Sequence, residues 1–190
     1  MNAGPTGPLQ EAAEDRIRET MRLGVVLERR PGVTRWVAET WQPLAVIPGA
    51  GELDPLGPWL PLREEGERAL FHAGTLLLSL YRRETEGYRL NLTQAEPRVY
   101  VVLRRDPEDC PHPVLPILVT LEPYEAEKYL VSGEEIVEGV PLPEEVRAFA
   151  EDFVARHHVE EVFYKRQRKP WNPRKEPGRG GGGGDDGGPG

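Results

Sequence analysis

The sequence predicts an α+β fold. It reads as an antiparallel β-meander of about six strands, able to curl into a half-barrel, with two C-terminal helices and disordered ends. Three observations lead there. Short apolar runs with period-two alternation follow one another at close spacing, separated by Gly/Pro turn signals. After Pro123 the apolar period changes to that of a helix. The chain then dissolves into glycine, which fills nine of the last 13 positions, a composition that cannot bury enough apolar surface to offset its chain entropy.

The elements follow in order. Residues 1–22 open with Gly4, Pro5, Gly7 and Pro8, and read as a flexible segment with at most a thin helical face at Ala13, Ile17 and Met21. Residues 23–28 form a first strand around Val25 and Val26, and Pro31-Gly32 marks a turn. Residues 33–47 form a second strand, bent near Gln42-Pro43, and 48–61 is a Gly/Pro-rich loop. Residues 67–83 suit a helix or a buried strand. Gly74-Thr75 disfavours a continuous helix, so a strand is expected, with a hairpin turn at 84–87 leading into a strand at 88–92. Residues 98–104 alternate around Val99, Val101 and Leu103. A loop at 106–113 precedes an edge strand at 114–121, where Pro116 cannot donate to a ladder. Pro123 opens a helix that reaches Leu130 and stops at Ser132-Gly133. Pro143 opens another that reaches about His158, with Val146, Phe149, Phe153, Val154 and His157 on one face. Glu144 and Glu145 in its first turn and Arg156, His157 and His158 in its last complement the helix dipole. Three segments result: a flexible N-terminal segment 1–22, a single domain 23–163, and a basic, then glycine-rich tail 164–190.

Charge is unevenly shared. The net charge is −8, yet residues 164–190 carry seven Lys or Arg against three acids. An acidic body repels phosphates and anionic membranes, and only the tail attracts them. Cys110 is the single cysteine, which excludes an internal disulfide and cysteine-rich zinc sites within one chain. That thiol count suits a reducing compartment. No run approaches the roughly 20 apolar residues of a membrane helix, and residues 1–22 lack the apolar core of a secretory signal. A cytoplasmic protein without membrane contact is expected.

Catalytic constellations are weak. His157 and His158 are adjacent, so on a helix they point about 100° apart and share one ion poorly. No metal site and no cofactor are expected from them. Cys110 and His112 share a loop stiffened by Pro111 and Pro113 and lack an orienting third group. Gly49-Ala50-Gly51 follows a strand, but no helix start follows to face a phosphate. Glu122, Glu125, Glu127, Glu134, Glu135 and Glu138 read as solvated acids. No catalytic residue is assigned, and a non-enzyme is expected. Trp36 and Trp41 read as structural, with a small ligand site beside them as the minor alternative.

Residues 163–171 carry the clearest binding signal. Lys165, Arg166, Arg168 and Lys169 interleave with Phe163, Tyr164 and Trp171. Aromatic and arginine side chains are enriched in binding hot spots and also stack on single-stranded nucleic acid. The expected protein-partner contacts are Phe163, Tyr164, Lys165, Arg166 and Arg168, with His157 and His158 positioning them. Two other readings stay open: Phe163 and Tyr164 folding back onto the sheet, and a weak single-stranded nucleic-acid contact, which the acidic body disfavours.

Four blocks resemble a bacterial domain-of-unknown-function family encoded near molybdenum-dependent formate dehydrogenase genes, whose members are sometimes labelled molybdopterin guanine dinucleotide biosynthesis proteins. The first runs Leu23-Gly24-Val25-Val26-Leu27-Glu28-Arg29-Arg30, with Trp36 and Trp41-Gln42-Pro43-Leu44-Ala45-Val46 after it. The second is Tyr81-Arg82-Arg83-Glu84-Thr85 with Tyr88 and Asn91-Leu92. The third joins Val119-Thr120, Pro123-Tyr124-Glu125-Ala126, Tyr129 and Ser132-Gly133-Glu134-Glu135. The last is His157-His158-Val159-Glu160-Glu161 and Phe163-Tyr164-Lys165-Arg166. The resemblance implies an accessory or assembly factor that binds a protein partner such as a formate dehydrogenase subunit. Its alternative is a pterin- or nucleotide-binding protein, or an enzyme of molybdenum cofactor biosynthesis. A guanylyltransferase would place a glycine-rich nucleotide loop after its first strand. Here Glu28-Arg29-Arg30-Pro31-Gly32 stands there, so the resemblance implies the genomic context and not that reaction. Leu121 and the long glycine tail depart from the family pattern.

Overall fold

The computed structural model describes residues 18–32, 38–131 and 133–159. Seven strands and three helices follow in the order β1 (Arg18–Pro31), β2 (Glu39–Pro48), β3 (Leu60–Glu65), β4 (Arg68–Tyr81), α1 (Thr85–Leu92), β5 (Arg98–Arg105), β6 (Val114–Thr120), α2 (Pro123–Leu130), β7 (Glu135–Pro141) and α3 (Glu144–His157). The α+β class expected from the sequence is observed.

All strand pairs are antiparallel, and they form two open sheets, β2-β1-β4-β3 and β6-β5-β7. The arrangement departs from a single meander because β1 pairs with β4 as well as with β2. β1 is also longer than expected. It begins at Arg18, so residues 18–22 of the segment expected to be flexible are strand, paired opposite Leu77–Tyr81 of β4. Composition could not show this, since the partner lies more than fifty residues downstream. Residues 1–17 of that segment lie outside the described residues.

The bend expected near Gln42-Pro43 is a bulge. Val26 faces Ala45 while Leu27 faces Pro43, which leaves Leu44 as the extra residue. Such an insertion locally twists a strand. The segment 67–83 is indeed a strand, β4. The hairpin turn and strand expected at 84–92 are instead a 3-10 turn at Arg82–Glu84 and the helix α1. Helical spacing brings the Tyr88 hydroxyl onto Glu84 four residues earlier, at 2.7 Å, a contact that alternating strand residues cannot make. β3 and β7 add to the expected strands. All six β3 residues are exposed, so no burial pattern marks it, and β7 is hidden by Glu135 and Glu138.

The core fills the space between the sheets and under α3. β1 contributes Leu23, Val25 and Leu27, β4 contributes Ala73, Leu78 and Leu80, and β5 contributes Val99, Val101 and Leu103. Val146, Ala150 and Phe153 of α3 join them, and the Phe153 ring meets Tyr88 of α1 edge-on at 6.4 Å. This is the face expected for α3, with Phe149 and Val154 partly buried at its margins.

The second face of the first sheet is covered by the loop between β2 and β3. Two glycines admit it. At Gly24 a Cβ would meet His72 at 2.6 Å and Ala50 at 2.9 Å, and at Gly74 it would meet Pro55 at 2.6 Å. Gly74 also has φ +135°, a conformation that side-chain-bearing residues avoid. The Thr75 amide donates to Leu53 O at 2.8 Å and its hydroxyl to Gly51 O at 2.6 Å, which ties the loop down.

Candidate functional site

The last turn of α3 gathers the described residues that the sequence singles out for partner contact. Asp152 and Arg156 are four apart on one helix face, and the guanidinium donates to Asp152 Oδ2 from Nη2 at 2.6 Å. The same guanidinium reaches across to β1, with Nη1 on Glu19 Oε1 at 2.7 Å and Nη2 on Glu19 Oε2 at 3.0 Å. Two parallel charge-assisted bonds fix geometry as well as attraction. Arg156 holds the Glu19 carboxyl below its ordinary range, chiefly through this hydrogen bond and against the opposing effect of burial.

The two histidines diverge, as neighbouring helical positions require. The His157 ring lies 4.7 Å from the Phe153 ring, and Arg156 Nη1 stands 3.2 Å from its Nε2. The same Nε2 lies 3.6 Å from Glu19 Oε1, so the ring borders the Arg156–Glu19 pair. His157 also offers its carbonyl to Arg82 Nε at 3.4 Å. His158 turns toward α1, with Nδ1 3.1 Å from Thr85 Oγ1. Thr85 spends its own proton on Arg82 O at 2.9 Å, so His158 Nδ1 donates to it. The His158 Nε2 is buried without a hydrogen bond, 3.6 Å from Glu86 Oε2. The end of α3 is thus fastened to β1, to the 3-10 turn and to α1, where the chain leaves toward residues 160–190.

Phe163, Tyr164, Lys165, Arg166 and Arg168 lie outside the described residues, as does Trp36. Among the described residues, no group of three or more His, Cys, Asp or Glu side chains could hold a metal ion. His112 does not face Cys110 as a base. Its ring stacks on Trp59 with centroids 3.9 Å apart, and its Nε2 lies 2.8 Å from Gly57 O. Since that carbonyl can only accept, Nε2 carries the proton. Trp41 packs against Trp59 and Phe71, each at 5.5 Å, in the structural role expected for it. Glu122, expected to be solvated, is instead buried. Its carboxylate caps α2 by accepting from the Glu125 amide and packs against Gly87 of α1.

Glu19 was not legible as part of the site, because its pairing with Arg156 needs the β1–α3 contact. Asp152 carried a local signal, the i,i+4 spacing to Arg156.

A family model described as Protein of unknown function (DUF3305) matches residues 22–168. The chain belongs to the DUF3305 family. The DUF3305 match begins within β1, spans both sheets and all three helices, and ends at Arg168, so it includes Phe163, Tyr164, Lys165 and Arg166 and leaves out the glycine run. Its description names no activity, partner or cofactor. No curated protein and no solved structure matches the chain. No helix among the described residues is long and apolar enough to cross a membrane.

Proposed function

We propose that this DUF3305 protein is a non-catalytic accessory factor that acts by protein binding, in the assembly or maturation of a molybdenum-dependent formate dehydrogenase. The observation that carries the binding role is the fastening of α3's last turn. Arg156, His157 and His158 each hold a separate element, which sets a defined origin for the basic, aromatic sequence that follows. A fixed origin lowers the ordering entropy that a binding segment must give up. The family match supports this reading, because it continues through that sequence to Arg168. The enzyme context comes from the four sequence blocks described above.

Phe163 and Tyr164 supply apolar contact in this reading, while Lys165, Arg166 and Arg168 select an acidic patch on the partner. The test is co-purification of the tagged chain with formate dehydrogenase subunits from a cell that makes both. Reversing Arg166 and Arg168 to Glu should abolish recovery, and unchanged recovery would overturn the assignment. A deletion strain should lose formate dehydrogenase activity while keeping normal subunit levels. Full activity in that strain would remove the maturation role.

A further inference from the structure

α3 ends at His158. The His158 amide donates to Val154 O at 2.8 Å, and its own backbone turns extended, with φ −71° and ψ 128°. Its ring lies against α1 and is fastened at one nitrogen. Nδ1 donates to Thr85 Oγ1 at 3.1 Å, since the Thr85 proton goes to Arg82 O. A neutral imidazole with its proton on Nδ1 has a bare lone pair on Nε2. That atom is buried and has no hydrogen-bond partner among the described residues. It faces a second acceptor, Glu86 Oε2, at 3.6 Å. A buried acceptor left in this way is unfavourable.

One proton on Nε2 turns the conflict into a bond. The imidazolium then donates from both nitrogens, to Thr85 and to Glu86. The carboxylate is held for it, because Arg89 Nη2 takes the other oxygen, Glu86 Oε1, at 3.0 Å. The two helix ends suit the charges as well. Glu86 stands in the first turn of α1 and His158 at the C-terminus of α3, where negative and positive charge are respectively favoured. The other charged groups around the ring have their own contacts. Arg82 of the 3-10 turn gives Nε to His157 O at 3.4 Å, and Arg156 of α3 is engaged by Asp152 and by Glu19 of β1. His157 differs from His158, because a guanidinium already stands 3.2 Å from its Nε2.

We infer that His158 is a proton-operated clasp. Protonated, it bridges the end of α3 to α1 through Glu86; neutral, it keeps only the Thr85 contact. Imidazole exchanges its proton between about pH 5 and 8, so the firmness of α3's last turn follows acidity in that range. The inference concerns the clasp itself and is independent of what the segment beyond α3 binds, so either can fail alone.

The test is nuclear magnetic resonance on the isotope-labelled full chain at pH 8 and pH 5.5. Ring nitrogen shifts of His158 should show a proton on Nδ1 alone at pH 8 and on both nitrogens at pH 5.5. Protection of the His158 amide from solvent exchange, corrected for the intrinsic effect of pH, should rise about three-fold at the lower pH, the scale of a partly exposed ion pair. In Glu86→Gln the amide can donate to Nε2 without a proton from solvent, so protection should be the same at both pH values. Glu86 is exposed, and an unchanged melting midpoint checks the fold. Should that midpoint fall, the ring shifts and amide protection of the parent still decide the matter. A ring proton on Nε2 alone at pH 8, equal protection of the parent at both pH values, or an unaltered pH dependence in Glu86→Gln would overturn the inference.

Discussion

Arg156 and Glu19 lie 137 positions apart and meet through two parallel bonds of 2.7 and 3.0 Å. That pair joins the last helix to the first strand. Both side chains are about a third or more exposed, 44% and 32%, so solvent screening keeps its contribution to stability small. Glu19→Gln should lower the urea denaturation midpoint slightly at neutral pH, without changing the slope. The folded state holds the Glu19 carboxyl below its unfolded value. The contribution is therefore present above the unfolded pKa and is lost as pH falls through the folded one. Below both values, parent and variant should converge.

Gly74→Ala should destabilise by about 2–4 kcal/mol. The substitution combines a positive φ with a collision against the Pro55 ring. Gly24→Ala meets only side chains, His72 and Ala50, and should cost about 1–3 kcal/mol. Thermal melting of the two variants checks the order.

Tyr88→Phe removes a hydroxyl that donates to Glu84 at 2.7 Å and accepts from the Tyr81 amide at 3.1 Å. Both partners lose their bond, so a loss of about 1–3 kcal/mol is expected. Burial pushes the Tyr88 hydroxyl above its ordinary value of 10.0. Its stabilisation is therefore complete below that value and declines as pH rises above it. Spectrophotometric titration should show one tyrosine that ionises only as the chain unfolds, and the Phe variant should lack it.

Phe153→Ala empties the meeting point of α3, α1 and the sheets, and should lower stability by about 3–5 kcal/mol. His112→Ala removes the stack on Trp59 and the bond to Gly57 O. A shift in tryptophan emission with a loss of about 1–2 kcal/mol is expected, since stacking and one hydrogen bond each contribute near 1 kcal/mol.

The parts of this fold that announce themselves in sequence are those with strong local periodicity. α3 shows its buried face through Val146 and Phe153, and β5 shows its own through Val99, Val101 and Leu103. β3 and residues 18–22 of β1 lack such a signal, because their pairing energy comes from another strand rather than from their own apolar pattern. At α1 the short apolar spacing fits both periods, and the decision falls to the Tyr88 and Asn91 side chains, whose partners are set by tertiary structure. The site divides in the same way. His157 and His158 stood out by residue type and by position at a helix end. Glu19 became visible only with the β1–α3 contact. The facing of His158 and Glu86 has no motif at all, since α1 and α3 meet only in the folded chain.

The Thr75 amide belongs to β4 but is spent on Leu53 O in the covering loop. Deuterium reaching that nitrogen therefore times the lifting of the loop, while neighbouring β1–β4 amides time the parting of the strands. A single protein would carry two separate clocks on one strand, with Thr75 the faster whenever the loop detaches without the sheet.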